Sequence, residues 1–279
     1  MIRRIGYTLR DLFGLLVYWY RTAGVRRQMP ARVRRIAYGP HRRTYFLLAE
    51  PPDSREQDDL PWAVYLHGGG WTFGTPEAFL PAARPWLRAG YRVVLPSYRR
   101  PPAVRIPDIV ADCRRALAAV ANLARASGRP LHPPQIAGIS AGGHLAATLA
   151  LHPAWWTDAG WPGGPRRIAL FAAPLSLDLL RPRRLFRNFD ALSPCHGPAA
   201  PAGTEWLLVQ GDRDGFVDPG HALRFLGCLQ SAGAGVYLER LPDAGHLDAG
   251  RWTYDDRSAL YTLVSHFIRQ GVAGLPGPA

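Results

Sequence analysis

PQIAGISAGGHLAATLAL, residues 134–151, is the stretch from which the fold can be read. An apolar run, Gln135 to Ile139, meets Gly138-Ile139-Ser140-Ala141-Gly142 and passes directly into an alanine- and leucine-rich segment. That succession predicts a strand, a sharp turn and a helix, with the G-x-S-x-G spacing of a nucleophile elbow. A serine lifted to the tip of such a turn needs a strained backbone. The residues two before and two after it then crowd the main chain, so both have to be small. Gly138 and Gly142 meet that demand, and Gly143 adds room. The following helix would aim its free N–H groups and partial positive charge at the place where an oxyanion forms. Ser140 is therefore a candidate nucleophile. A glycine-rich turn before an ordinary helix has the same local pattern, so the rest of the chain has to decide between them.

On either side, short apolar runs alternate with helical segments. Strands are expected at Val33 to Tyr38, Tyr45 to Glu50, Trp62 to Leu66, Tyr91 to Pro96, Arg167 to Ala172, Trp206 to Gln210 and Val236 to Leu241. Thr75-Pro76-Glu77 reads as a cap, a first helical proline and a first-turn acid, opening a helix to about Ala89 that Gly90 stops. Further helices are expected from Pro107 to about Ala126, near Asp178 to Phe186, from Pro219 to Ala232 and from Trp252 to Gln270. His152 to Pro165 reads as a loop. With the strand before Ser140 this makes an α/β protein, a mostly parallel eight-stranded sheet covered by helices on both faces.

Acyl transfer by a serine needs a base for its proton, an acid to orient that base, and donors for the oxyanion. In an open α/β sheet these gather at the C-terminal ends of strands. The strand WLLVQ runs into GDRDGFV, which places Asp214 in the loop beyond it, and the next strand runs into DAGH, which places His246 in its loop. Asp212 sits too near its strand end, and Asp218 reads as the cap of the helix at Pro219. His221 and His266 fall inside helices; Asp243 and Asp248 read as loop surface. The oxyanion donors would be backbone amides of Gly69 or Gly70, in His67-Gly68-Gly69-Gly70-Trp71, and of Ala141. His67 reads as a support for that loop, and Asp112 and Asp178 as local structural acids. Trp71, Phe73 and Tyr98 are candidate pocket walls, core packing being the competing role for each.

HGGGW, YRRPP followed by Pro107 and Asp112, GISAGGHLAA, GDRDGFV and DAGH occur in that order. Together they resemble the α/β-hydrolase superfamily, specifically the HGGG-type esterases and lipases related to hormone-sensitive lipase. The resemblance runs from about Trp62 to the closing helix. Such enzymes commonly carry an acid directly before the nucleophile, where this chain has Ile139. The wording of HGGGW and SAGGHLAA is closer to small carboxylesterases, feruloyl and acetyl xylan esterases and kynurenine formamidases. The resemblance implies a hydrolase of small carboxylic esters working through an acyl-enzyme, with no metal or organic cofactor. An arylformamidase-type amidase is the nearest alternative, and a non-catalytic ligand-binding protein on the same fold is one of another class.

The formal net charge of +13 would suit nucleic acid or an anionic membrane. All 34 basic residues are arginine, however, scattered mostly as pairs beside much alanine, glycine and proline, which points to coding bias. No nucleic-acid motif accompanies them, and no nucleic-acid partner is expected. Cys113, Cys195 and Cys228 have no pairing pattern, which fits a reducing, cytoplasmic setting. Residues 1–30 read as a helical lid or cap, or as an interfacial segment. Ile5, Leu9, Leu12, Leu16 and Trp19 follow helical spacing, with arginines on both sides. The apolar run is too short to span a bilayer. Its two readings are a helix packed over the active site and a peripheral membrane contact through residues 1–29. Residues 31–271 form the catalytic domain in this reading, and 272–279 a frayed tail. Oligomeric state is left open.

Overall fold

The runs YFLLAE, WAVYL, RVVLP and QIAGI have almost no polar face to turn to solvent, so each needs cover on both sides. In a computed structural model describing residues 2–56, 58–180 and 192–275, they are four inner strands of one eight-stranded sheet. The strands are β1 (Arg32–Ala37), β2 (Tyr45–Glu50), β3 (Trp62–Leu66), β4 (Arg92–Pro96), β5 (Gln135–Ile139), β6 (Arg167–Phe171), β7 (Glu205–Gly211) and β8 (Gly235–Leu241). Their order is β1-β2-β4-β3-β5-β6-β7-β8. β2 runs antiparallel to both β1 and β4, and every pair from β4–β3 to β7–β8 is parallel. The α/β expectation is borne out. The edge strand β1 carries Arg32, Arg34 and Arg35, charges that discourage edge-to-edge pairing.

The helices are α1 (Ile2–Arg27), α2 (Pro76–Phe79), α3 (Arg84–Arg88), α4 (Ile106–Ala126), α5 (Ala141–Ala150), α6 (Pro153–Asp158), α7 (Gly220–Ser231) and α8 (Ala259–Gln270). One apolar layer joins the sheet to α4, α5, α6 and α7; the other joins it to α1, α2, α3 and α8. Parallel strands send all their following loops to one rim, and this is what gathers Ser140, Asp214 and His246 there.

Three expectations along the chain, two of helices and one of a loop, need correction. The segment from Pro76 to Ala89 is broken into α2, a tight turn and α3, because Pro81 and Pro85 cannot donate the bonds a continuous helix requires. The closing helix begins at Ala259, where Ser258 accepts a bond from the Tyr261 amide; Leu247–Thr253 forms a separate tight turn. The loop expected at 152–165 contains α6, opened by Pro153. Of the helix expected near Asp178 to Phe186, the described part is a tight turn at Leu177–Leu179; 181–191 lie outside the described residues. At the C-terminus the Val272 amide bonds to Glu205 at 2.9 Å, and 276–279 lie outside the described residues.

Candidate active site

Ser140 stands between β5 and α5 with φ +54° and ψ −126°, a conformation that L-residues rarely hold. Its amide is tied to the Phe171 carbonyl of the neighbouring strand at 2.8 Å. A Cβ on Gly138 would run into the Gly142 carbonyl, and one on Gly142 into the Leu66 carbonyl of β3. The tightness of the turn therefore comes from β3, β5 and α5 pressing together. Ala141 is the first residue of α5, where an amide has no carbonyl partner within the helix.

The loop after β7 holds Asp214 buried with both oxygens occupied. Oδ1 accepts from the amides of Phe216 (2.9 Å) and Val217 (2.7 Å); Oδ2 accepts from Gln210 Nε2 (3.0 Å) and lies 2.8 Å from His246 Nδ1. That contact fixes which imidazole nitrogen faces the acid and leaves Nε2 for chemistry. Burial alone would lower the His246 pKa. The Asp214 carboxylate, with a smaller contribution from Asp11, outweighs it, and the net shift is upward. Gln210 went unnoticed in the sequence; its place as the penultimate residue of β7, pointing into the turn, was the available signal.

Asp11 also went unnoticed. It is buried on the inner face of α1, and its Oδ2 accepts from the amides of Gly215 (2.7 Å) and His246 (3.2 Å). One carboxylate from the first helix thus joins the loop of Asp214 to the loop of His246. Thr8 Oγ1 donates to the Gly215 carbonyl at 2.9 Å, and the Arg10 guanidinium to the carbonyls of Arg213 (2.8 Å) and Asp243 (3.2 Å). Gly215 and Gly245 permit this approach, because a Cβ at either would collide with α1. Nothing in the local pattern around Asp11 marks it, since its partners lie more than 200 positions away.

Ser140 and His246 line a single cavity of about 280 Å³ with Gly68, Gly69 and Gly70. Its apolar walls include Leu12, Leu15 and Trp19 of α1, together with Phe73, Phe79 and Phe216. Of the three expected pocket residues, Phe73 is there. Trp71 and Tyr98 are not and need correction. Trp71 turns its ring edge-on to His144, with centroids 5.2 Å apart. Tyr98 is fully buried, stacked on His67 at 4.4 Å, and donates to the His67 carbonyl at 3.0 Å. Tyr98 is set by its neighbour Arg99, whose guanidinium grips buried Asp112 of α4 at 2.8 and 2.9 Å. His67 is enclosed, and burial pushes its pKa down to about 3 despite a bond to the Gly68 carbonyl, so it stays neutral and supports the glycine loop.

The remaining candidates have local partners. Asp218 accepts the Gly220 amide at 2.8 Å, Asp212 pairs with Arg240 at 2.9 Å, and Asp248 accepts the Gly245 amide at 2.7 Å. Asp243 pairs with Arg213, and Asp178 with Arg224. His221 accepts the Ser176 amide at 3.1 Å, and His266 bonds to the Ala273 carbonyl at 2.9 Å.

Among known proteins, residues 63–192 match the model of a family described as having the alpha/beta hydrolase fold. The chain is 28% identical over 256 residues to Esterase LipQ of Mycobacterium tuberculosis, covering 80% of this chain and 59% of that protein. It is 36% identical over 101 residues to Carboxylesterase NlhH of the same species, covering 36% of this chain and 31% of that protein. The chain therefore spans about three fifths of LipQ and a smaller part of NlhH. Two solved structures share the fold. A truncated carbohydrate esterase from gut microbiota has a TM-score of 0.72 at 15% identity, covering 87% of this chain and 96% of its own. Esterase 2 of Thermogutta terrifontis, phosphoramylated by tabun, has a TM-score of 0.69 at 22% identity, covering 88% and 97%. The strand order, the serine elbow and these matches together show that the chain has the alpha/beta hydrolase fold.

Proposed function

We propose that this protein is a serine carboxylic-ester hydrolase, with Ser140 as nucleophile, His246 as general base and Asp214 as the acid that orients it. The observation carrying the reading is that a serine strained at an elbow and a histidine held by a buried carboxylate share one largely apolar cavity. Esterase names among the relatives support the same class.

In the proposed reaction Ser140 Oγ attacks the ester carbonyl carbon while His246 Nε2 takes its proton. The carbonyl π-electrons move onto oxygen, and the amides of Gly69, Gly70 and Ala141 stabilise that oxyanion. One such donor is typically worth about 3 kcal/mol. The tetrahedral species collapses, the ester C–O bond breaks, and the imidazolium protonates the departing alkoxide. Water, deprotonated by the same imidazole, attacks the acyl-enzyme, and the second collapse returns the proton to Ser140 and frees the acid. Asp214 keeps Nδ1 protonated and offsets the imidazolium charge. The cavity walls suit an apolar acyl or aryl group.

Replacing Ser140 with Ala is expected to abolish turnover of p-nitrophenyl acetate while thermal unfolding remains cooperative. Turnover at the wild-type rate would overturn the reading. A side-by-side rate on an aryl formamide separates ester from amide preference.

A further inference from the structure

The first helix is packed in an unusual sense. Its polar residue Asp11 is buried, while Ile5, Leu9, Leu12, Phe13, Leu16 and Tyr20 form one outward arc. The exposure is large: Phe13 72%, Leu16 69%, Tyr20 83%. An amphipathic helix of a soluble domain ordinarily turns such residues inward, so a contiguous apolar arc facing outward marks a contact surface. The arc is continuous with the site described above, because Leu12 belongs to the arc and also walls the cavity of Ser140. Phe73, 48% exposed, stands on the same cavity.

The charge on this helix selects the occupant. α1 carries six arginines and one acid, and the acid is the buried Asp11. Arg26 and Arg27 are exposed in its last turn, and the whole chain is at +13. A second copy offering the same face would bring two such helices together, like charge on like. Among the described residues no helix is long and apolar enough to cross a membrane, so a lipid partner would be met from the side. An apolar arc with arginines along one helix is the pattern of an element lying in the plane of a bilayer interface.

We propose that α1 docks the protein on an anionic phospholipid surface, its outward arc set among the acyl chains and its exposed Arg26 and Arg27 at the headgroups, with the cavity mouth facing the lipid. Insofar as it concerns substrate, this rests on the hydrolase reading: the favoured ester is then one dispersed in lipid, entering past Leu12 and Phe73.

The test uses the full chain with vesicles of phosphatidylcholine alone and of phosphatidylcholine with phosphatidylglycerol. Wild type and Ser140→Ala are expected to float alike with the anionic vesicles, to bind the zwitterionic ones at least ~10-fold more weakly, and to be released by salt. Combined Leu9→Gln, Phe13→Gln and Leu16→Gln, none of which walls the cavity, is expected to cut anionic binding ~10-fold or more. The same variant should keep its helical circular dichroism and its rate on soluble p-nitrophenyl acetate, and lose rate on an ester carried in anionic vesicles. Undiminished flotation of the triple variant overturns the proposal. So does wild type that ignores both vesicles, or a wild-type dimer that the triple variant dissolves. Because flotation needs no turnover, an inert Ser140 would sink the hydrolase reading and leave the docking result readable.

Discussion

The elbow and the first helix meet at the same cavity but are specified in opposite ways. At the elbow the constraint is local. Gly138 and Gly142 must be glycine because β3, β5 and α5 leave no space for a Cβ on either side of Ser140, and the pattern is written within five consecutive residues. In α1 the constraint is remote. Asp11 is buried because two amides from the loops of Asp214 and His246 need an acceptor, and those loops lie at the other end of the chain. Sterics can be read from neighbours in sequence, whereas hydrogen-bond demand from a distant loop cannot.

The strongest way to break this contrast is to add one carbon at the elbow. In Gly142→Ala the new Cβ meets the Leu66 carbonyl, a backbone atom in a central strand that cannot swing aside as a side-chain end can. The expected cost is about 3 kcal/mol, the upper range for overpacking, read as a drop in the denaturant midpoint, with the proposed ester turnover lost in parallel. A fully stable, fully active Gly142→Ala would show that the turn has slack, and the claim of local steric control would go with it.

The next largest effect is expected at Asp11, where the consequence is for chemistry more than for stability. Asp11→Ala removes the acceptor that joins the two loops, and a misplacement of His246 of the order of 1 Å typically costs about 100-fold in rate. Asp11→Asn keeps an acceptor and removes the charge, which isolates the electrostatic part. In the proposed reaction His246 must be neutral to act as base, so kcat/KM is expected to rise with pH through an inflection above the ordinary histidine value, because burial is outweighed by Asp214 and Asp11. Removing the Asp11 charge takes away one of the influences that raise that pKa, so the inflection moves to lower pH. Arg10, whose guanidinium bonds to the carbonyls of Arg213 and Asp243 beside the same loops, is left in place as a control on local charge. A profile whose inflection does not move would confine Asp11 to a structural role.

Legibility followed the same division. The runs YFLLAE, WAVYL and QIAGI ended where the structure ends β2, β3 and β5, because proline, glycine or a polar loop abruptly closes each apolar run. Where packing decides, the local pattern is not enough. The helix expected from Thr75 to about Ala89 is divided at Pro81 and Pro85. Trp71 and Tyr98 looked like pocket walls, since aromatic residues beside a glycine loop suit either role. Only the fold shows that one packs on His144 and the other props His67. The brackets around Asp214 and His246, Gln210 and Asp11, carried no motif at all.

The smallest effect separates the two faces of α1 most sharply. Ile5, Leu9, Leu12 and Leu16 announce the helix by their spacing, and spacing of that kind ordinarily marks the face that packs inward. Here the packed side chains are Asp11, Tyr18 and Thr22, and the rhythmic leucines face out. Phe13→Gln should therefore leave the unfolding free energy within about 0.5 kcal/mol of wild type, as for other exposed positions away from caps and cores. The indifference would be informative because Tyr18, five residues on, is buried against Trp19, Phe79 and Tyr254. Truncating it to Ala should cost about 3 kcal/mol or more, the range for a buried aromatic. Parallel denaturant titrations of the two variants measure both values. If Phe13→Gln proved as costly as the loss of Tyr18, the arc would be buried in solution, and α1 would owe its apolar rhythm to the fold of the protein.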